Sequence, residues 1–180
     1  MSSSTDIQLV GIAASTPSGG IGNAGGLPWP RLRRDMQFFR DTTTAGDGEN
    51  AMVMGRRTWE SLPPAARRGR ACFVVSSTLT TLDGATVVPS LAACLEIVET
   101  TTTRRVFVIG GARLLEECLF HPQCRQFFWT QIAGEFPCDT FLSARTLARL
   151  GEAAAAAEAV ALHENLEDAG VRYRILELNI

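Results

Sequence analysis

Val106-Phe107-Val108-Ile109-Gly110-Gly111-Ala112-Arg113-Leu114-Leu115 is the stretch that decides the fold. Four large apolar residues in a row read as a strand buried on both faces. The glycine pair ends that strand, and a helix follows to about Leu119. A second copy of the pattern lies upstream. Ala51-Met52-Val53-Met54 is a short buried strand, Gly55 opens a helix through Thr58 and Trp59, and Pro63-Pro64 stops it. Further out, Ile7 to Ala14 is a first buried strand, closed by the loop Pro17-Ser18-Gly19-Gly20. A helix is predicted from Leu32 to Thr43, and a glycine-containing loop from Thr44 to Asn50. Ala71 to Ser76, Ala85 to Val88 and Gln126 to Ile132 read as strands, and Leu91 to Glu99 as a helix. The end reads two ways: Glu152 to Glu158 is alanine-rich and suits a helix, while Val160 to His163 suits the start of a strand. Asp168-Ala169-Gly170 is a hairpin turn before Tyr173 to Leu178. The expectation is one α/β domain over residues 1–180 with three layers. Its central sheet is mostly parallel, its C-terminal edge is an antiparallel hairpin, and helices cover both faces.

Composition narrows the function. At 180 residues the chain is long enough for a sizeable core without staples. Apolar content of 46% and charged content of 20% are ordinary for a soluble globular protein. A net charge of -2 gives no electrostatic case for nucleic acid or an anionic membrane. The apolar runs are too short to span a bilayer. Met1 to Asp6 has neither the basic start nor the apolar core of a signal peptide. Five scattered cysteines and two histidines offer no metal-ligand spacing and suit reduced thiols, so no metal and a cytoplasmic location are expected.

One carboxylate stands out. Wound at about 100° per residue, the predicted helix gathers Leu32, Met36, Phe38 and Phe39 on one face, and Asp35 lands among them. A carboxylate there is desolvated and needs donors. Taken alone, such a group is most often structural, satisfied by a backbone amide or an arginine. Two other places suit anions. In Gly55-Arg56-Arg57-Thr58 and Gly110-Gly111-Ala112-Arg113, glycine follows a buried strand and free helix-start amides point at one spot. Either alone is a plain strand-to-helix turn, and neither is a Walker loop or a Gly-x-Gly-x-x-Gly fingerprint. Two in one sheet, both with arginine, favour a ligand with several phosphates, such as a dinucleotide at the carboxyl ends of the strands. Arg67 and Arg68 read as a solvated basic loop. Arg70, directly before a strand, is better fixed and suits bidentate capture of a carboxylate. Trp59 reads as core packing.

These stretches resemble dihydrofolate reductase over nearly the whole chain. The motifs are Ile12-Ala13-Ala14, Gly20-Ile21-Gly22, Leu27-Pro28-Trp29, Asp35-Met36-x-Phe38-Phe39, Val53 to Trp59, Ser61-Leu62-Pro63, Val108 to Gly111, Trp129-Thr130 and Asp139-Thr140-Phe141. Pro30, the run Thr42-Thr43-Thr44 and the insertion after it look like the eukaryotic, single-domain form.

The resemblance implies reduction of 7,8-dihydrofolate to tetrahydrofolate with NADPH, by direct hydride transfer, in support of one-carbon metabolism. By the same resemblance Asp35 is the catalytic carboxylate, Thr130 supports it and Trp29 holds a water. Ile12, Ala13, Phe39, Leu62, Arg70 and Ile109 join Asp35 and Thr130 in binding substrate, with Arg70 on its glutamate. Ala13, Ile21, Gly22, Gly55, Arg56, Arg57, Thr58, Ser76, Ser77, Gly110, Gly111, Ala112, Arg113 and Leu114 form the cofactor site. Gly19 to Gly26 is implied to close over the nicotinamide. The Gly110–Gly111 bond is often cis in the family. Antifolates are implied ligands, and a free-standing monomer is expected.

Four positions depart from the family's pattern. Leu115 stands where a tyrosine is usual, near the nicotinamide edge. Ser77 replaces an arginine used on the 2′-phosphate. The loop Pro64 to Arg68 is short. Gly11 stands where isoleucine or valine is frequent. A pterin or ribosylamino-pyrimidine reductase is a neighbouring reading, opposed by Asp35 with Arg70, which match a pterin head and a glutamate tail. A folate- or nucleotide-binding relative with weakened catalysis is a reading of a different class, favoured only by Leu115.

Overall fold

Alternating apolar strands need two apolar partners, and this chain supplies them as helices on either side of one sheet. The structure is a computed structural model and describes residues 7–46 and 48–180. Met1 to Asp6 and Asp47 of the Thr44–Asn50 loop lie outside the described residues.

Among the described residues ten strands and five helices follow one another: β1 Gln8–Ser15, β2 Gly20–Gly22, α1 Arg33–Thr44, β3 Asn50–Gly55, α2 Arg56–Ser61, β4 Arg70–Val75, β5 Thr86–Val88, α3 Leu91–Glu99, β6 Arg105–Gly110, α4 Ala112–Leu119, β7 Cys124–Ile132, β8 Thr140–Phe141, α5 Ala144–Ala155, β9 Val160–Asp168 and β10 Val171–Asn179. Eight form one sheet in the order β5-β4-β3-β6-β1-β7-β10-β9. From β5 to β7 every pairing is parallel. Only β10 runs against its neighbours β7 and β9. The mostly parallel sheet with an antiparallel C-terminal hairpin is therefore as expected. The chain begins near the middle of the sheet and later inserts β6 between β3 and β1. The carboxyl ends of β3 and β6 thereby become neighbours, with Met54 opposite Gly110.

The pleat divides the core. Leu9, Ala51, Val53, Phe73, Val106, Val108 and Phe127 pack against α3, α4 and α5. Val10, Ile12, Met52, Met54, Phe107 and Phe128 face the other way, toward Phe38 and Phe39 of α1 and Trp59 of α2. Period-two alternation on strands buried on both faces produces these two apolar layers.

Gly11 has a packing reason. A Cβ built there would lie 2.2 Å from two ring carbons of Phe127 on the adjacent strand. Phe127 is completely buried. Its ring fills the volume that a side chain at position 11 would need.

Three local expectations need correction. The helix at the alanine-rich end starts much earlier, at Ala144, because the Ser143 hydroxyl accepts from Thr146 N and caps it. The strand beginning at Val160 exists as well, so the two readings were successive elements rather than alternatives. β2 and β8 were not foreseen: two- and three-residue strands carry no period, and their pairing joins residues far apart in sequence.

Candidate active site

α1 places Asp35 in its first turn, with Phe38 and Phe39 one turn further along the same side. Thr130 of β7 donates its hydroxyl to Asp35 Oδ1 at 2.6 Å. Burial pushes the Asp35 carboxyl above its ordinary value, the Thr130 hydrogen bond pulls it down, and the nearby negative charge of Asp168 adds to the rise. Desolvation is the largest of the three. Asp35 is thus a carboxylate whose proton affinity is raised by its surroundings.

Apolar walls surround this group. Ile12, Phe39, Leu62 and Ile109 belong to one cluster. Trp29 and Leu32 belong to a second, and Phe38 packs against both. The Trp29 indole N–H is buried without an acceptor among the described residues, so it is a donor free for whatever enters beside Asp35. Ala13, next to Ile12 on β1, faces the opposite layer.

Arg70 is buried, and its guanidinium is held rather than floating. It donates from Nη1 to Thr43 Oγ1 and from Nη2 to Ala66 O, both at 2.6 Å, and its Nε is left unpaired. Thr43 in turn donates to Phe39 O at 2.7 Å. Arg70 stands 5.9 Å from the Phe39 ring centre, which puts a cation beside the aromatic wall. The solvated-loop reading of Arg67 is wrong. Its guanidinium stacks 3.8 Å from the Trp59 ring centre and donates to Trp59 O and Leu62 O. The short loop Pro64 to Arg68 explains this, because Pro64–Arg67 winds as a 3₁₀ turn that folds Arg67 back over α2. Arg68 is exposed, as expected.

The second half of the site lies at the adjoining ends of β3 and β6. Gly55 and Gly111 are the N-caps of α2 and α4, and neither helix receives a side-chain cap. Ser90 and Ser143 do cap α3 and α5. The first-turn amides at the two glycines therefore stay open. A Cβ at Gly111 would meet nothing within 4 Å, and one at Gly55 would lie 3.7 Å from Gly111 N. Arg56, Arg57 and Arg113 are exposed around this cradle, with Thr58 half-buried and Ala112 and Leu114 just inside α4. Open amides, room beside the backbone and several arginines fit a phosphate-bearing cofactor. The Gly110–Gly111 peptide is cis, as the resemblance implied, and Gly110 has φ +134°, a region that favours glycine.

At the end of β4, Ser76 Oγ accepts from Thr78 N and Leu79 N, which rigidifies the turn beside the exposed Ser77. Leu115 is wholly buried in the α3–α5 layer, so it acts there as a packing residue. The loop Gly19 to Gly26, with Ile21 and Gly22 at its start, is tied at both ends. Glu135 accepts from Ser18 N and Oγ at 2.8 and 2.6 Å, and Asp139 accepts from Ala24 N at 2.8 Å. Sequence reasoning missed Thr43, Glu135 and Asp139 as parts of the site. Each acts through a contact with a distant segment, which no local pattern announces.

A desolvated carboxylate beside aromatic side chains, with open helix-start amides at the carboxyl ends of adjoining parallel strands, is an α/β arrangement suited to acid–base chemistry next to a bound anion. A family model described as Dihydrofolate reductase matches residues 8–169. The chain is 40% identical over 147 residues to the dihydrofolate reductase of Schistosoma mansoni, covering 75% of this chain and 77% of that one. It is also 36% and 37% identical over 144 residues to the bifunctional dihydrofolate reductase-thymidylate synthases of Glycine max and Daucus carota. Those alignments cover 73% of this chain, which spans only 27% of either plant protein. The chain belongs to the dihydrofolate reductase family, an oxidoreductase family acting on dihydrofolate with a nicotinamide cofactor. Among the described residues no helix is long and apolar enough to cross a membrane.

Proposed function

We propose that this dihydrofolate reductase converts 7,8-dihydrofolate to tetrahydrofolate with NADPH as hydride donor, and that Asp35 is the acidic group of its pterin site. The observation that carries this reading is the desolvated Asp35 carboxylate held by Thr130, on the helix whose Phe39 packs with Ile12, Leu62 and Ile109. The cofactor, when bound, supplies a hydride. The protein's own part is to bind, orient and manage one proton. Asp35 accepts hydrogen bonds from the amino group and ring nitrogen of the pterin, and its raised proton affinity suits delivery of a proton toward the imine nitrogen through water. The unpaired Trp29 N–H holds that water. Phe39 and Leu62 flank the ring system. Arg70, pre-set by Thr43 and Ala66, binds the substrate's glutamate through its remaining donors. Ala13, Ile21, Gly22 and Gly110 border the nicotinamide side. Gly55, Arg56, Arg57, Thr58, Ser76, Ser77, Gly111, Ala112, Arg113 and Leu114 hold the phosphates and adenosine. Holding the two reactants in contact accounts for much of the acceleration.

The same reading takes residues 1–180 as one domain that acts as a cytoplasmic monomer and binds antifolates in the pterin pocket. Loss of NADPH absorbance with and without dihydrofolate tests the activity. Equal rates in the two cuvettes reject it.

A further inference from the structure

α1 carries the functional carboxylate, yet its start lacks a local cap. Leu32 occupies the N-cap position and offers no acceptor. The missing acceptor arrives from the far end of the chain. Asp168, the last residue of β9, accepts from Arg34 N through Oδ2 at 3.2 Å. The same oxygen accepts the hydroxyl of Tyr173, the one tyrosine in the sequence. Tyr173 is 3% exposed and packs with Trp29 and Leu32, the residues that lead into α1. Register places Tyr173 opposite Ile132 and Ile175 opposite Thr130, so phenol and threonine stand near each other on adjoining strands. Asp35 is thus held twice: its carboxylate by Thr130, and its helical turn by the Asp168–Tyr173 pair.

We propose that Asp168 and Tyr173 are positioning residues for the reaction: the hairpin carboxylate and the buried phenol fix the first turn of α1, so that Asp35 meets the pterin in one pose and in a set electrostatic environment. This rests on Asp35 being the acidic group of the pterin site. Asp168 sits close enough to act on Asp35 by its charge as well as through the backbone. Other charged groups stand around this turn: Arg31, just before α1, and Glu167 of β9 line one pocket with Arg33 and Asp168. Arg33 and Arg34 lie on α1 itself and act on Asp168. His163 of β9 stands edge-on to Phe38 at 6.1 Å between ring centres. β7 contributes the uncharged Thr130, and β10 contributes Tyr173.

The test measures single-turnover hydride transfer against pH in Asp168→Asn, Asp168→Glu, Tyr173→Phe and Asp35→Asn, each checked for folding by circular dichroism. Asp168→Asn removes a negative charge near Asp35. Asp35 then gives up its proton more readily, and the midpoint of the rate profile moves to lower pH. Asp168→Glu keeps the charge and returns the midpoint toward wild type. Tyr173→Phe strips a donor from Asp168 but leaves the charge, so the midpoint moves the opposite way. Hydride rates fall by roughly three- to tenfold in Asp168→Asn and Tyr173→Phe, the effect of one hydrogen bond, while the KM for NADPH holds. An unmoved midpoint in either folded variant, with or without a slower rate, overturns the proposal. The Asp35→Asn arm separates the two ideas. If it is slow while the Asp168 and Tyr173 variants match wild type, the positioning role alone fails. If it matches wild type, the reading of Asp35 itself fails.

Discussion

Asp35→Asn sets function against stability, and the structure fixes the sign of both. The change keeps shape, and the amide oxygen placed there still accepts from Thr130, whose bond to Oδ1 is 2.6 Å. What goes is the charge and the proton-accepting capacity, and donors are now presented to donors on the pterin. Losing acid-base assistance slows a reaction by about 10² to 10⁴. At about 1.4 kcal/mol per factor of ten, that is roughly 3–5.5 kcal/mol of barrier.

Stability moves the other way. Burial raises the carboxyl's proton affinity in the folded protein, so the ionised form is less welcome there than in the unfolded chain. For an acid whose folded value is raised, stability falls as pH climbs from the ordinary aspartate range through the raised value, then levels off. Asp35→Asn removes that fall and should melt higher than wild type at neutral pH, with the difference shrinking in acid. The assays are single-turnover hydride rates and thermal melts, both run from acid through neutral to mildly alkaline pH. Partial recovery of rate at low pH is expected, where the substrate arrives protonated. A variant within a few-fold of wild type at every pH refutes the catalytic role. A variant less stable than wild type at neutral pH refutes the claim that burial dominates the environment of Asp35.

Four further outcomes follow from named contacts. Arg56→Ala should cut the preference for NADPH over NADH by roughly tenfold or more in competing steady-state assays, the worth of one charge-assisted hydrogen bond; the exposed pair of Arg56 with Glu60 is too weak to withhold the guanidinium from a phosphate. Arg70→Lys cannot reproduce both the Thr43 and Ala66 contacts with a planar fork, so the KM for dihydrofolate should rise by about tenfold or more while that for a pterin lacking glutamate stays put. Gly11→Ala drives a methyl into the Phe127 ring and should cost about 1–3 kcal/mol, or roughly 2–12 °C in Tm, with recovery in the double variant Gly11→Ala with Phe127→Leu. Leu115→Tyr enlarges a wholly buried side chain and should lower Tm by a similar overpacking cost; an unchanged Tm with faster hydride transfer would show that the pocket wall has room for the family's hydroxyl.

The parts of this protein that were legible in its sequence are those encoded within a few residues. Val106 to Leu119 and Ala51 to Trp59 announce strand, glycine turn and helix, and the structure has them within a residue or two. Asp35 was visible because a charge on an apolar face breaks a period. The packing reason for Gly11 was not visible, because it depends on the ring of Phe127 on the neighbouring strand. Arg67 was misread for a similar cause: composition says basic loop, but a 3₁₀ turn lays it on Trp59. Arg70 was read correctly as fixed, yet the groups that fix it, Thr43 and Ala66, come from α1 and the turn before β4.

Capping shows how that division between local and distant information serves the site. α3 and α5 are capped by serines in their own sequence, each worth about 1 kcal/mol, and they lie under the sheet as scaffold. α2 and α4 forgo such a cap at Gly55 and Gly111, which leaves their amides to an anion. α1 takes a third course, with its cap supplied across 134 residues by Asp168. A helix capped from within its own sequence can form early and locally. A helix capped by the final hairpin reaches its resting place only when β9 and β10 have joined the sheet. The turn that carries Asp35 therefore depends on β9 and β10, while the cradle at Gly55 and Gly111 depends only on β3 and β6. Substitutions in the β9–β10 turn should accordingly disturb folate chemistry more than cofactor binding, although the turn is outside the cofactor cleft and its exposed tip looks tolerant of change.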